Sequence, residues 1–295
     1  MSLSIRGVIA CVVTPFTATH HIDTDALRKQ IDMLCRHGVD GLCVGGPVPD
    51  LPGGTVEELD LICRTAVSAG GLPVVANAFV DSTNEAIEFA QAAQQAGAAA
   101  IAIAQPHYLF LPDQAGLVAH FDRIGRAAGI PLLLLNVLSD ALVSTPNARV
   151  LAQTGRIHGI CQGGRDLRLL ADMLLLRSDC PIFACIEDMF YPALLLGVEG
   201  IISSLAALVP KTCVALFRAV REGNHDEARR YHRELFHLWR IIDHPAERSA
   251  RLRYAMDVKD FAVGSARRPY DVLSAAARDE VRRTFEGFAA ESPAV

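Results

Sequence analysis

Ile157-His158-Gly159-Ile160-Cys161-Gln162-Gly163-Gly164 reads as a short buried strand, Ile157 to Ile160, that runs into a glycine-closed loop. The same unit recurs on both sides of it. Upstream, Pro131 to Asn136 is an apolar run followed by a helical segment, Thr145 to Gln153. Downstream, Asp166 to Leu176 is helical, Pro181 to Cys185 extended and Met189 to Leu196 helical. Gly200 to Ser203 with Pro210 to Glu222 closes the series. Towards the N-terminus lie Val8 to Val13 with Thr24 to His37, and Gly41 to Val44 with Val56 to Ala69. Pro73 to Ala76 with Ser82 to Ala96 follows, then Ala99 to Ala104 with Asp113 to Ala128. Strands that are continuously apolar are buried on both faces, which calls for a parallel sheet covered by helices. Eight such pairs predict a closed (β/α)8 TIM barrel of the α/β class.

Gly38, Gly97 and Gly197 each stand between a helix end and a strand start, where a left-handed residue closes the helix. Thr24 and Asp188 are expected to be helix N-caps. After Glu222 the alternation stops. Asn224-His225-Asp226-Glu227 opens a long amphipathic helix to about Asp243, and Ala246 to Phe261 and Ser274 to Ala290 are helical too. The expected division is a barrel over 1–223 and a small C-terminal helical domain over 224–295.

Of the 295 residues 51% are hydrophobic and 21% charged, so a large core is expected and a disordered chain is not. With a net charge of −5 and no basic patch carrying aromatics, nucleic acid is not an expected partner. The longest apolar run, Ile130 to Leu135, is too short for a membrane span, and Met1 to Gly7 lacks the apolar region of a signal peptide. Eight cysteines without a CxxC pair read as reduced thiols of a cytoplasmic protein. No glycine-rich nucleotide fingerprint is present, and no cofactor is expected.

Further motifs lie along this frame. Gly7-Val8-Ile9 with Thr14-Pro15-Phe16 opens it, Pro112 with Gly116-Leu117 and His120-Phe121 leads into the fourth helix, and Gly200-Ile201-Ile202-Ser203 forms the eighth strand. In order and spacing the chain resembles the dihydrodipicolinate synthase/N-acetylneuraminate lyase family of (β/α)8-barrel aldolases. The resemblance implies a lyase scaffold, a small-molecule ligand at the C-terminal barrel mouth, and a homodimer or homotetramer. It also implies a Schiff-base lysine on the sixth strand, where this chain has Cys161 followed by Gln162 in place of glutamate. The family's tyrosine and arginine on the fifth strand are Leu135 and Asp140 here, around a retained Asn136. Its carboxylate-holding Gly-Thr-Thr-Gly-Glu becomes Gly46-Pro47-Val48-Pro49-Asp50, and its paired tyrosines become Tyr108 and Leu109.

A thiol cannot form an imine, and Lys29, Lys211 and Lys259, the only lysines, do not map to strand ends. Cys161 and Tyr108 are the candidate catalytic residues. Thr14, Gly46, Asp50, His107, Asn136, Asp140 and Glu187 are the candidate ligand-binding residues. Cys11, Cys43, Cys161 and Cys185 all fall on expected strands, but their spacing fits no zinc pattern, so buried packing is expected and no metal ligand is assigned. Three functions stay open: a lyase without Schiff-base chemistry, an inactive homologue serving as a binding or regulatory subunit, and a metal-dependent aldolase, decarboxylase or hydratase.

Overall fold

The computed structural model describes residues 3, 5–46, 54–164, 166–176, 180–270 and 273–291. The strands are β1 (Gly7–Cys11), β2 (Gly41–Val44), β3 (Val74–Ala78), β4 (Ala100–Ala104), β5 (Leu132–Asn136), β6 (Gly159–Gln162), β7 (Ile182–Ala184) and β8 (Gly200–Ser203). They form a closed barrel in sequence order, every neighbouring pair parallel, with β8 returning to β1. The helices are α1 (Thr24–Arg36), α2 (Val56–Gly70), α3 (Thr83–Gln95), α4 (Gln114–Ala127), α5 (Thr145–Gln153), α6 (Leu167–Leu174), α7 (Phe190–Leu196), α8 (Leu205–Leu208) and α9 (Pro210–Arg221). Beyond Gly223 come α10 (His225–Ile242), α11 (Arg248–Val258) and α12 (Ala275–Glu291). Among the described residues no helix is long and apolar enough to cross a membrane.

Alternation along each strand divides the core into two layers. Val8, Ala10, Ile101 and Ile103 face the helices, in the larger cluster. Ile9, Cys11, Ala100, Ala102, Ala104, Leu133, Leu135, Cys161 and Phe183 fill the barrel interior. The inward alanines of β4 share this layer with Phe183, which is 1% exposed.

Local chemistry corrects several expected boundaries. Asp23, not Thr24, caps α1: its carboxylate accepts from the amides of Asp25 and Ala26, and Thr24 is already helical. Asp188 caps nothing, because Glu187–Met189 forms a 3-10 turn that runs into α7 without a side-chain cap. Strand β6 starts two residues later than expected and takes in Cys161 and Gln162, while Cys185 lies just beyond β7. Helix α8 was not expected, since Leu205–Leu208 is too short to show a period. Gly38, Gly97 and Gly197 do adopt positive φ, at 76, 85 and 93°.

The chain after Gly223 holds the barrel's rim through two arginines, Arg253 on α11 and Arg267 in the segment between α11 and α12. Arg253, 2% exposed, donates to the carbonyls of Thr14 at 2.7 Å, Val263 at 2.9 Å and Gly264 at 3.3 Å. Its guanidinium also lies 4.7 Å from the centre of the Phe16 ring. Arg267 lies 4.4 Å from the same ring and forms a fork on the Glu58 carboxylate. Glu58 in turn completes the capping box of α2 with Thr55. The loop after β1 and the start of α2 are therefore fixed by one cluster. Arg253→Ala removes a buried guanidinium that donates to the carbonyls of Thr14, Val263 and Gly264, and should cost on the order of 3 kcal/mol in denaturant unfolding. Arg253→Lys should recover little of this, because an ammonium cannot reproduce the planar fork.

Candidate functional site

The strand ends at the C-terminal face carry the positions singled out in the sequence. Cys161 is fully buried and sits across from Leu135 on β5 and Phe183 on β7. Cys185 packs against the same interior cluster. The Cys185 amide donates to the Gln162 carbonyl at 2.8 Å, which holds the segment after β7 against β6. Cys11 and Cys43 are register partners on β1 and β2 and belong to the same interior layer. Burial and the neighbouring sulfur hold the Cys11 and Cys185 thiols well above the ordinary range. Such thiols are neutral and poor nucleophiles.

Asn136 is 2% exposed, and its amide is spent inside the fold. Its Oδ1 accepts from the Val143 amide at 2.7 Å. Its Nδ2 donates to the Val143 carbonyl at 3.1 Å and to Gln162 Oε1 at 2.8 Å. Gln162 Nε2 donates to the Gly163 carbonyl at 2.7 Å. Together they tie the loop after β5 back onto β6. Asp140 lies on that loop, exposed, in the 3-10 turn Ser139–Ala141.

Past β4, Asp81 organises the rim. Its Oδ1 accepts from the amides of His107 at 2.5 Å and Tyr108 at 2.9 Å, and His107 Nδ1 lies 3.4 Å from the same oxygen. The His107 ring meets Phe79 edge-on at 6.5 Å. Tyr108 is 72% exposed, so the two candidate catalytic residues stand in opposite environments, one on the rim and one in the packed interior. Thr14 is buried, and its carbonyl is held by Arg253. Gly46 has φ 71°, and a Cβ there would stand 2.9 Å from the Phe79 ring, so the backbone passes close to that ring. Asp50 lies outside the described residues.

Glu187 is the buried carboxylate of the mouth. One oxygen accepts from Ser203 Oγ at 2.7 Å and from the Leu205 amide at 3.5 Å, and the other from the Ser204 amide. Burial nevertheless pushes its pKa up to about 7, against an ordinary value of 4.5. Sequence reasoning missed Asp81, which lies just before the expected helix Ser82 to Ala96, and the register pairing of Cys11 with Cys43, which needs the barrel to close. Among the described residues no group of three or more His, Cys, Asp or Glu side chains is arranged to hold a metal ion.

Residues 4–287 match the model of the dihydrodipicolinate synthetase family. The chain belongs to this family. Among dihydrodipicolinate synthetase relatives, the 4-hydroxy-tetrahydrodipicolinate synthase of Synechococcus sp. (strain JA-2-3B'a(2-13)) is 30% identical over 298 residues, covering 98% of this chain and 96% of the relative. An uncharacterized DapA-like lyase of Thermococcus kodakarensis is 29% identical over 277 residues, covering 90% and 93%. A prophage protein of the family from E. coli K12, solved in complex with pyruvate, superposes with a TM-score of 0.90 at 24% identity, covering 97% and 99%. That last likeness establishes the fold. In the dihydrodipicolinate synthetase frame this chain is a lyase-family barrel whose interior carries thiols.

The raised Glu187 pKa has a defined consequence for stability. The folded state favours the protonated carboxyl, so its contribution is complete below 4.5 and is lost as pH rises through about 7. At about 1.4 kcal/mol per pH unit the whole window amounts to on the order of 3 kcal/mol. Thermal unfolding of the wild type should weaken between pH 5 and 8, and Glu187→Gln should flatten that slope. An unchanged slope in the variant would assign it to another group.

Proposed function

We propose that this chain is a small-molecule lyase of the aldolase type that uses the barrel mouth without Schiff-base chemistry. One observation carries the reading: the position that the resemblance gives to an imine-forming lysine is Cys161, wholly buried beside Leu135, Phe183 and Cys185. A thiol can add to a carbonyl, but the adduct has no cationic nitrogen to accept electrons from a breaking C–C bond. Lys29 is exposed on α1, Lys211 stands in the first turn of α9, and Lys259 follows α11. Burial and the charge of Lys211 hold the Lys259 amine below its ordinary pKa, but Lys259 stands on no strand end.

Within this reading Thr14, Gly46, His107, Asp140 and Glu187 are the positions that meet the ligand, and Asn136 holds the loop behind them; Asp50, the remaining candidate, lies outside the described residues. Asp140 brings a negative charge where the family pattern has arginine, and the thiol interior brings no positive one. Both disfavour an anionic keto acid and favour a neutral ligand. As the resemblance implies, the working unit is a homodimer or homotetramer. Tyr108 to Leu111, 53 to 83% exposed, supply the apolar surface for it.

Treatment with pyruvate and borohydride should leave the intact mass unchanged. A reduced pyruvate adduct mapped to Lys259, or to either other lysine, would overturn the proposal. In titration calorimetry pyruvamide should bind at least as well as pyruvate, and low-micromolar pyruvate with weaker amide binding would show a rebuilt anion site. Sedimentation should find an oligomer at micromolar concentration, and a monomer would remove that part of the reading.

A further inference from the structure

The corner of the mouth after β3 and β4 brings a carboxylate and an imidazole into contact. Asp81 lies between β3 and α3, and His107 lies between β4 and α4. His107 Nδ1 stands 3.2 Å from the carbonyl oxygen of Gln105 and 3.4 Å from Asp81 Oδ1. Both oxygens are acceptors, so Nδ1 carries the ring proton and Nε2 keeps its lone pair. Among the described residues Nε2 has no hydrogen-bond partner.

The ring is held from its other sides as well. The backbone amides of His107 and Tyr108 both donate to the same Asp81 oxygen. Phe79 meets the imidazole edge-on, with ring centres 6.5 Å apart and planes at 86°. Phe79 in turn packs against the interior layer. The imidazole therefore stands one aromatic ring away from that layer, with 30% of its side chain exposed. A proton acceptor needs this setting: reach to a ligand, one fixed tautomer, and a carboxylate to balance the charge it acquires. Fastening the loop does not call for it, because the two backbone amides already do that.

We propose that His107 is the general base of this barrel's reaction, acting through Nε2, with Asp81 as its positioning residue. The proposal deepens the lyase reading and rests on it. For a neutral ligand with a hydroxyl β to a carbonyl, Nε2 takes the hydroxyl proton. The O–H electron pair becomes a new C=O bond, the C–C bond breaks, and its pair moves onto the original carbonyl as an enolate. The imidazolium then returns the proton to the enolate carbon. Two neutral carbonyl compounds leave, and nothing is oxidised or reduced. Asp81 stabilises the imidazolium between the two transfers.

Two measurements on the full chain test this. In the wild type, ring-nitrogen chemical shifts of His107 should place the proton on Nδ1. Asp81→Asn keeps an oxygen for the two amides but loses the charge, so the Nε2–H tautomer should appear. The second measurement follows cleavage of diacetone alcohol, a neutral β-hydroxy ketone, into acetone by proton NMR. The wild type should exceed buffer, and His107→Gln should lower kcat about 100-fold or more. Asp81→Asn should lower kcat about 10-fold or more with KM little changed, as for a group that orients a base. His237→Gln, on the exposed face of α10, should leave the rate unchanged. Cleavage that survives His107→Gln would overturn the proposal and leave the lyase reading standing. An Nε2–H tautomer in the wild type, a measurement that needs no variant to fold, would overturn it too. No cleavage by the wild type, with the proton on Nδ1, would remove the lyase reading and the proposal with it.

Discussion

A closed barrel of parallel strands has an interior that side chains must fill, because nothing else reaches it. That constraint governs this molecule. Every strand is buried on both faces, and each inward residue is sized by its neighbours around the ring. Small alanines at 100, 102 and 104 share the layer with the larger Phe183 and with Leu133, the register partner of Ala102. A residue placed at the inner end of a strand must therefore be compatible with a dry, packed layer. Cys161 and Leu135 meet that condition with no polar partner beyond a neighbouring thiol, whereas a lysine ammonium and a phenol would each need one.

The rim is organised by a different force. There the backbone leaves the ladder, and its amides and carbonyls need partners from outside the strand pattern. Asp81 takes up two amides after β4, Asn136 takes up both groups of Val143, and Glu187 takes up the amides of Ser204 and Leu205. Arg253 reaches in from α11 to hold Thr14. Each of these groups is charged or doubly polar, and each holds a loop. The helices beyond Gly223 are in this sense part of the mouth, since without Arg253 and Arg267 the β1 loop and the start of α2 lose a shared anchor.

The scaffold was legible because strand burial writes itself into sequence as unbroken apolar runs. Eight of them, each followed by a helical period, leave few alternatives to a closed barrel. Boundaries were less legible for a local reason. At Thr24 and Asp188 the sequence offers adjacent capping side chains, and only backbone geometry selects Asp23 in the first case and none in the second. The site was legible as a set of departures from a family pattern and not as an arrangement. That Asn136 is consumed by Val143, or that Cys43 faces Cys11, depends on register between strands dozens of residues apart. No local spacing encodes such a register.

Charge explains why the departures occur together. A buried amine requires nearby groups that stabilise its charge, and a keto-acid site adds cationic or amide donors around it. Once the amine is replaced by a thiol, a neighbouring carboxylate loses its counter-charge and would be costly to bury ionised. Gln162 in place of glutamate removes that cost: its amide oxygen accepts from Asn136, and its amide nitrogen donates to the Gly163 carbonyl, which an ionised carboxylate could not do. Glu187, still a carboxylate, answers the same pressure by holding its proton to about pH 7. The interior of this barrel is consequently neutral over the acid half of the pH scale, and its polarity resides in sulfur and amide groups. The charges that remain act at the rim, where they position backbone.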